Sequence, residues 1–64
     1  MILEAVWFKN GKEIGWCDPV ISVDTCDIGE KGIYGIFVFN GYASYSAKDC
    51  DCEPDDFVVR VKKQ

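Results

Sequence analysis

Four cysteines and a run of carboxylates are the residues of this chain that could do chemistry. The cysteines are Cys17, Cys26, Cys50 and Cys52. Zinc sites usually pair their ligands as C-x₂₋₄-C, because a tight turn then aims both thiolates at one ion. Cys17 and Cys26 are too widely spaced for that and Cys50 and Cys52 too close. Cys50 and Cys52 could still chelate a soft metal together, as a Cys-stabilised structural module. An extended segment from Cys17 to Cys26 would hold those two thiols on the order of 20 Å apart, beyond the Cα separation of about 7 Å that a disulfide allows. A Cys50–Cys52 bridge would be strained. Reduced thiols are expected, with Cys17 and Cys26 serving as small buried hydrophobes, and no cofactor is implied.

The carboxylates are concentrated in Asp49-Cys50-Asp51-Cys52-Glu53-Pro54-Asp55-Asp56, where five of eight residues are acidic. Alternating carboxylates open an EF-hand loop, but the glycine and the closing glutamate of that loop are missing and Pro54 interrupts the run. A solvated loop, or a negative surface that engages a basic partner, remains. A third feature is aromatic: Phe37, Phe39 and Tyr42 lie beside Asn40-Gly41, with Ser44 and Ser46 nearby. Aromatics next to small hydroxyl residues suit a protein interface, since they bury area at low entropy cost. They equally suit a second core layer or a seam with a second copy of the chain.

Catalytic patterns are missing. The chain has no histidine, the commonest general base near neutral pH. A cysteine nucleophile would lack its usual partner, and no G-x-S-x-G, Walker A or H-E-x-x-H sequence occurs. Carboxylates alone can hydrolyse glycosides, but 64 residues leave little room for a sugar cleft. The reading is that this is not an enzyme.

Charge limits the partners. The chain carries 7 basic and 11 acidic residues, a net charge of −4. Only Arg60, Lys62 and Lys63 cluster among the basic residues, so direct nucleic-acid binding is not expected. An acidic surface can instead approach a basic one, including the nucleic-acid groove of another protein. No apolar run approaches the roughly 20 residues needed to span a bilayer, so no membrane role is expected. The segment Met1-Ile2-Leu3-Glu4-Ala5-Val6 has none of the marks of a signal peptide, which points to the cytoplasm.

The elements that must position these groups are strands. Helical periodicity is weak, whereas alternation and turn signals recur. Ile2 to Lys9 and Lys12 to Cys17 flank Asn10-Gly11, the strongest short hairpin signal. A two-residue loop would oppose Trp7 to Ile14 and Ala5 to Trp16, giving a core face of Leu3, Ala5, Trp7, Ile14 and Trp16. Cys17 would then share the mixed outer face with Glu4, Val6, Phe8 and Glu13. Asp18-Pro19 breaks the chain. Val20 to Cys26 reads as a third strand and Asp27 to Gly32 as a loop. Ile33 to Phe39 and Tyr42 to Lys48 form a second hairpin about Asn40-Gly41, opposing Val38 to Ala43, Ile36 to Tyr45 and Tyr34 to Ala47. Phe57 to Lys62 is the last strand.

The expected fold is thus all-β, one domain over residues 1–64. It is a small antiparallel meander of five to six strands, curled into a barrel or small sandwich. So small a domain buries only about 60% of its unfolded surface, and a partner subunit could add to that. The expected function is a small acidic binding protein that acts by protein–protein interaction. Its profile is that of inhibitors of basic nucleic-acid-handling or defence proteins carried by phages and mobile elements. Phe37, Phe39 and Tyr42 would supply contact area. Asp49, Asp51, Glu53, Asp55 and Asp56 would supply steering. The alternative is an oligomeric binder that sequesters a nucleotide, with Lys48 or Arg60 meeting phosphate.

Overall fold

A computed structural model describes residues 1–25 and 32–63. Six strands, β1 (Leu3–Lys9), β2 (Lys12–Cys17), β3 (Ser22–Thr25), β4 (Ile36–Phe39), β5 (Ser44–Tyr45) and β6 (Asp56–Val61), form two antiparallel sheets. The sheet orders are β2-β1-β6 and β3-β4-β5. The fold is therefore all-β, but neither sheet closes into a barrel. It is also not a simple meander, because the last strand returns to pair with the first. The expected Cys26 end of the third strand, and all of the Asp27–Gly32 loop but Gly32, lie outside the described residues.

The first hairpin turns where the sequence places the turn. Asn10 and Gly11 both take positive φ, 52° and 79°, as a type I′ turn requires. Lys9 then faces Lys12 and Phe8 faces Glu13. Beyond that point the register slips: Trp7 faces Gly15, Val6 faces Trp16 and Ala5 faces Cys17. Ile14 is the extra residue of a β-bulge. Because side chains alternate with period two, one inserted residue exchanges the faces of everything after it. The expected pairings of Trp7 with Ile14 and Ala5 with Trp16 are thus replaced, and Trp16 leaves the core face. It is 72% exposed, whereas Cys17 turns inward and is 7% exposed.

Ala5, Trp7 and Cys17 of the first sheet meet Val38 of the second and Ala47 beyond it in one buried cluster. Ile14, Val20, Ile33, Tyr34, Cys50 and Phe57 pack around them. Trp7 and Phe57, opposite one another in the β1–β6 ladder, have ring centroids 5.3 Å apart at a tilted 46°. That geometry is favourable for aromatic pairs. On the opposite face Val6 is fully buried between Trp16 and Val58. Arg60, which faces Glu4, ion-pairs with Glu4 (2.9 Å) and also reaches Glu13 at the far end of the ladder. Its side chain must cross the Val6 position to do so.

The second hairpin differs from the expected one. Val38 faces Tyr45 and Phe39 faces Ser44, so the pairings Val38–Ala43, Ile36–Tyr45 and Tyr34–Ala47 do not form. The loop is longer because the Asn40 side chain shapes it: Oδ1 accepts hydrogen bonds from the main chain of Tyr42 and Ala43, both at 2.9 Å. Such an Asx turn competes with a two-residue hairpin. The flanking strands are also shorter than expected. Gly32–Gly35 and Ala47–Asp49 are 3₁₀ turns. Ser46 caps the second of these by a reciprocal capping box with Asp49.

Exposure separates the two tryptophans energetically. Trp7→Ala is expected to cost about 3–5 kcal/mol, as for other buried aromatics, and Trp16→Ala less than about 1 kcal/mol. Urea melts of the two variants check this, and a cost at Trp16 equal to that at Trp7 would return Trp16 to the core.

Candidate functional site

The bulge in β2, the turn at Ser46 and the loop that follows enclose a cleft of about 600 Å³, within the range of ligand sites. It is lined by residues 14–18 at β2, by Ser46 and residues 49–52, and by Trp7, Asn40 and Tyr45. The walls approach closely at Gly15, where an added Cβ would lie 3.0 Å from Cys50 Sγ. The absence of a side chain there is what lets Cys50 settle against β2.

The cleft is acidic. Asp18, Asp49 and Asp51 line it, and no lysine or arginine does among the described residues. The three carboxylates differ in what they already hold. Asp18 Oδ2 pairs with Lys62 Nζ at 3.0 Å. Asp49 Oδ2 accepts the Ser46 main-chain N–H at 2.7 Å. Asp51 makes no hydrogen bond or ion pair among the described residues and is exposed. The strand position of Trp16 also borders the cleft, although its register puts the exposed indole on the Val6 face of the sheet, and the exposed Tyr45 borders it too.

Three thiols share the cleft, and none is in a disulfide. Burial, and then the charge of Asp18, pushes the Cys17 thiol up. Burial, then the neighbouring Asp49, Cys52 and Asp51, does the same to Cys50. Both are held as thiols near neutral pH, the poorly nucleophilic and poorly ligating form. Among the described residues no three of His, Cys, Asp and Glu are grouped to hold a metal ion.

The other residues singled out from the sequence are dispersed. Asp55 is structural: Oδ2 accepts the Asn10 main-chain N–H at 3.0 Å, and its own N–H donates to Phe8 O at 2.8 Å. Asp56 Oδ1 accepts the N–H of Phe57 at 2.8 Å. Glu53 is exposed in a left-handed conformation, φ 53°, and does not line the cleft. Phe37 and Phe39 are half-buried on the face of β4 opposite Val38, beside Asp24, Ser22 and Ser44. Tyr42 is 95% exposed in the Asn40–Ala43 loop. Only Asp49 and Asp51 of that set reach the cleft. Trp16, Tyr45 and Asp18 were not among them. The bulge that turns Trp16 outward has no signature in the alternation of β2, and Tyr45 reaches the cleft by tertiary packing. Arg60 is engaged by Glu13 and Glu4, which hold its proton more firmly than usual. No helix among the described residues is long and apolar enough to cross a membrane.

Comparison with protein-family models, curated proteins and solved structures finds no match to the chain.

Because burial and carboxylates both disfavour its thiolate, Cys50 should alkylate slowly at pH 8, more slowly than the exposed Cys52. Asp51→Asn should raise the Cys50 rate modestly by removing one negative neighbour. Iodoacetamide labelling followed by fragment-resolved mass spectrometry reads both sites. Cys50 labelling faster than Cys52 would contradict the assigned environment.

Proposed function

We propose that the protein is a non-enzymatic binding protein that docks on a basic protein surface through its acidic cleft. The observation that carries this reading is the cleft itself: Asp18, Asp49 and Asp51 are gathered at one concavity, and no lysine or arginine lines it among the described residues. Such a lining repels anionic ligands and attracts cationic ones. The reading fits occupation of a nucleic-acid-binding groove, whose own cations await phosphates. An inhibitor of a nucleic-acid-handling or defence enzyme, of the kind phages carry, is the role we assign. Cytoplasmic location accords with such a target.

The structure narrows which of the acidic residues can serve. Asp55 and Asp56 are bound to the main chain, and Asp49 gives one oxygen to the capping box. Steering therefore falls on Asp51 at the cleft and Glu53 two residues on. Sequestering a nucleotide has no such support, since Arg60 is taken up by Glu4 and Glu13 on the far face of the first sheet.

Two charge reversals of equal size test the reading. Asp51→Lys alters the cleft, whereas Asp24→Lys alters β3 beside Phe37. Association with a poly-lysine surface should slow about tenfold or more for Asp51→Lys and much less for Asp24→Lys, and the difference should shrink with salt. Equal losses would reduce the effect to net charge and remove the cleft from the argument.

A further inference from the structure

We propose that β6 is a dimerisation strand: its open edge pairs, antiparallel and about a two-fold axis, with the same edge of a second copy, joining two three-stranded sheets into one of six strands. This surface lies at the edge of the sheet opposite β2 and the cleft, so the inference is independent of the basic-partner reading.

β6 is the outer strand of the order β2-β1-β6, so one of its edges has no neighbouring strand among the described residues. The Lys62 N–H donates to Ile2 O at 2.7 Å, on the β1 side. In an antiparallel ladder the main-chain groups point alternately toward the neighbour and away from it. The N–H and C=O groups of Phe57, Val59 and Val61 therefore face the open edge. Asp56 Oδ1 accepts the Phe57 N–H locally at 2.8 Å. The N–H groups of Val59 and Val61 have no acceptor on that side among the described residues. Such an edge is a template for another strand. Apolar surface adjoins it. Leu3, Val59 and Val61 share the face of Ala5 and Trp7 but are exposed, because the core cluster takes in Ala5, Trp7 and Phe57 and stops short of them.

Charge identifies the occupant as a second copy. The segment runs from Asp55-Asp56 at one end to Arg60, Lys62 and Lys63 at the other. Cationic residues on an edge ordinarily keep strands apart; here the other end of the same strand carries the opposite sign. A parallel copy would set like charges together. An antiparallel copy centred on Val59 sets Asp56 opposite Lys62 of the second copy, twice by symmetry. It also sets Val59 opposite itself and Phe57 opposite Val61, so the open main-chain groups of the two edges meet. Asp56 and Lys62 then occupy a non-hydrogen-bonded position, where facing side chains are closest. Centring on Arg60 would oppose that residue to itself. Centring on Val58 would direct Asp56 to Arg60, which Glu4 and Glu13 already hold. Lys62 has one partner, Asp18 Oδ2 at 3.0 Å, and can leave it or bridge both carboxylates. On the apolar face, Leu3 and Val61 of one copy continue into Phe57 and Trp7 of the other.

The test is sedimentation equilibrium and amide hydrogen exchange on the whole ¹⁵N-labelled protein over a range of concentrations. We expect a monomer–dimer equilibrium in which the Val59 and Val61 amides gain protection as the dimer forms. Asp56→Lys and Lys62→Asp should each weaken dimerisation about tenfold or more, since each makes both charge pairs repulsive. An equimolar mixture of the two variants should recover near-wild-type affinity, because the mixed dimer restores both pairs with the signs exchanged. Val59→Pro, which removes an N–H that the β1 ladder does not use, should abolish the dimer. Dispersion of the amide spectrum reports whether each variant is folded, and the wild-type exchange measurement decides even where one is not. A protein that stays monomeric at millimolar concentration, a dimer whose Val59 and Val61 amides still exchange freely, or a mixture no tighter than the separate variants would each overturn the pairing.

Discussion

One residue more on β2 than on the facing stretch of β1 governs the rest of the molecule. The bulge at Ile14 places Ile14 against the core, sets Gly15 opposite Trp7, turns Cys17 inward and sends Trp16 out. Each of these has a consequence on the other side of the cleft. Gly15 admits Cys50 to close approach. Cys17, small and apolar, fits the space beside Ala5 where an indole would not. Trp16 in turn lies over the outer face next to Val6. Without the bulge, the indole would enter a cluster whose other members include Ala5 and Ala47.

The acidic loop is held by its own charges. Asp49 closes the Ser46 turn, and Asp55 fastens the far end of the loop to the Asn10 turn. Tyr34 Oη donates to Pro54 O between them, at a longer 3.4 Å. A run that looks uniform in sequence therefore divides into anchors and free groups. The anchors spend their carboxylates on main-chain N–H donors, the partners that lower the cost of burying a polar turn. What projects between them is Asp51, Cys52 and Glu53. This division explains how a loop with five carboxylates stays ordered enough to wall a cleft.

Much of the fold is legible in the sequence, and the errors have a common form. The strand-rich class, the Asn10-Gly11 turn and the inward Trp7 follow from alternation and turn chemistry; the pairing of Phe57 with Trp7, which joins the two ends of the chain, does not. In the second hairpin the partner of Val38 shifts by two residues, from Ala43 to Tyr45. An even shift leaves the faces unchanged, so Val38 and Tyr45 still share a side as the alternation implies. In the first hairpin the shift is odd, and there Trp16 and Cys17 trade places. Bulges are invisible to a periodicity argument because the alternation continues on both sides of the inserted residue. The 3₁₀ turns were hidden for a different reason: Gly32–Gly35 and Ala47–Asp49 are too short to leave a repeating pattern.

The cleft was the least legible part, since its residues come from three stretches of chain and share no motif. Asp49 and Asp51 could be found from the carboxylate run, but their neighbours Trp16 and Tyr45 depend on long-range packing. The energetics of the site run against those of the fold. Three carboxylates and two thiols with raised pKa values stand near one another, and the buried Trp7 Nε1–H has no hydrogen-bond partner among the described residues. A domain with so small a core has little stability to set against such defects. A cationic ligand would offset the mutual repulsion of the carboxylates. Binding energy in such a case comes partly from defects the free protein already bears, and the affinity should therefore exceed what the contact area alone would give.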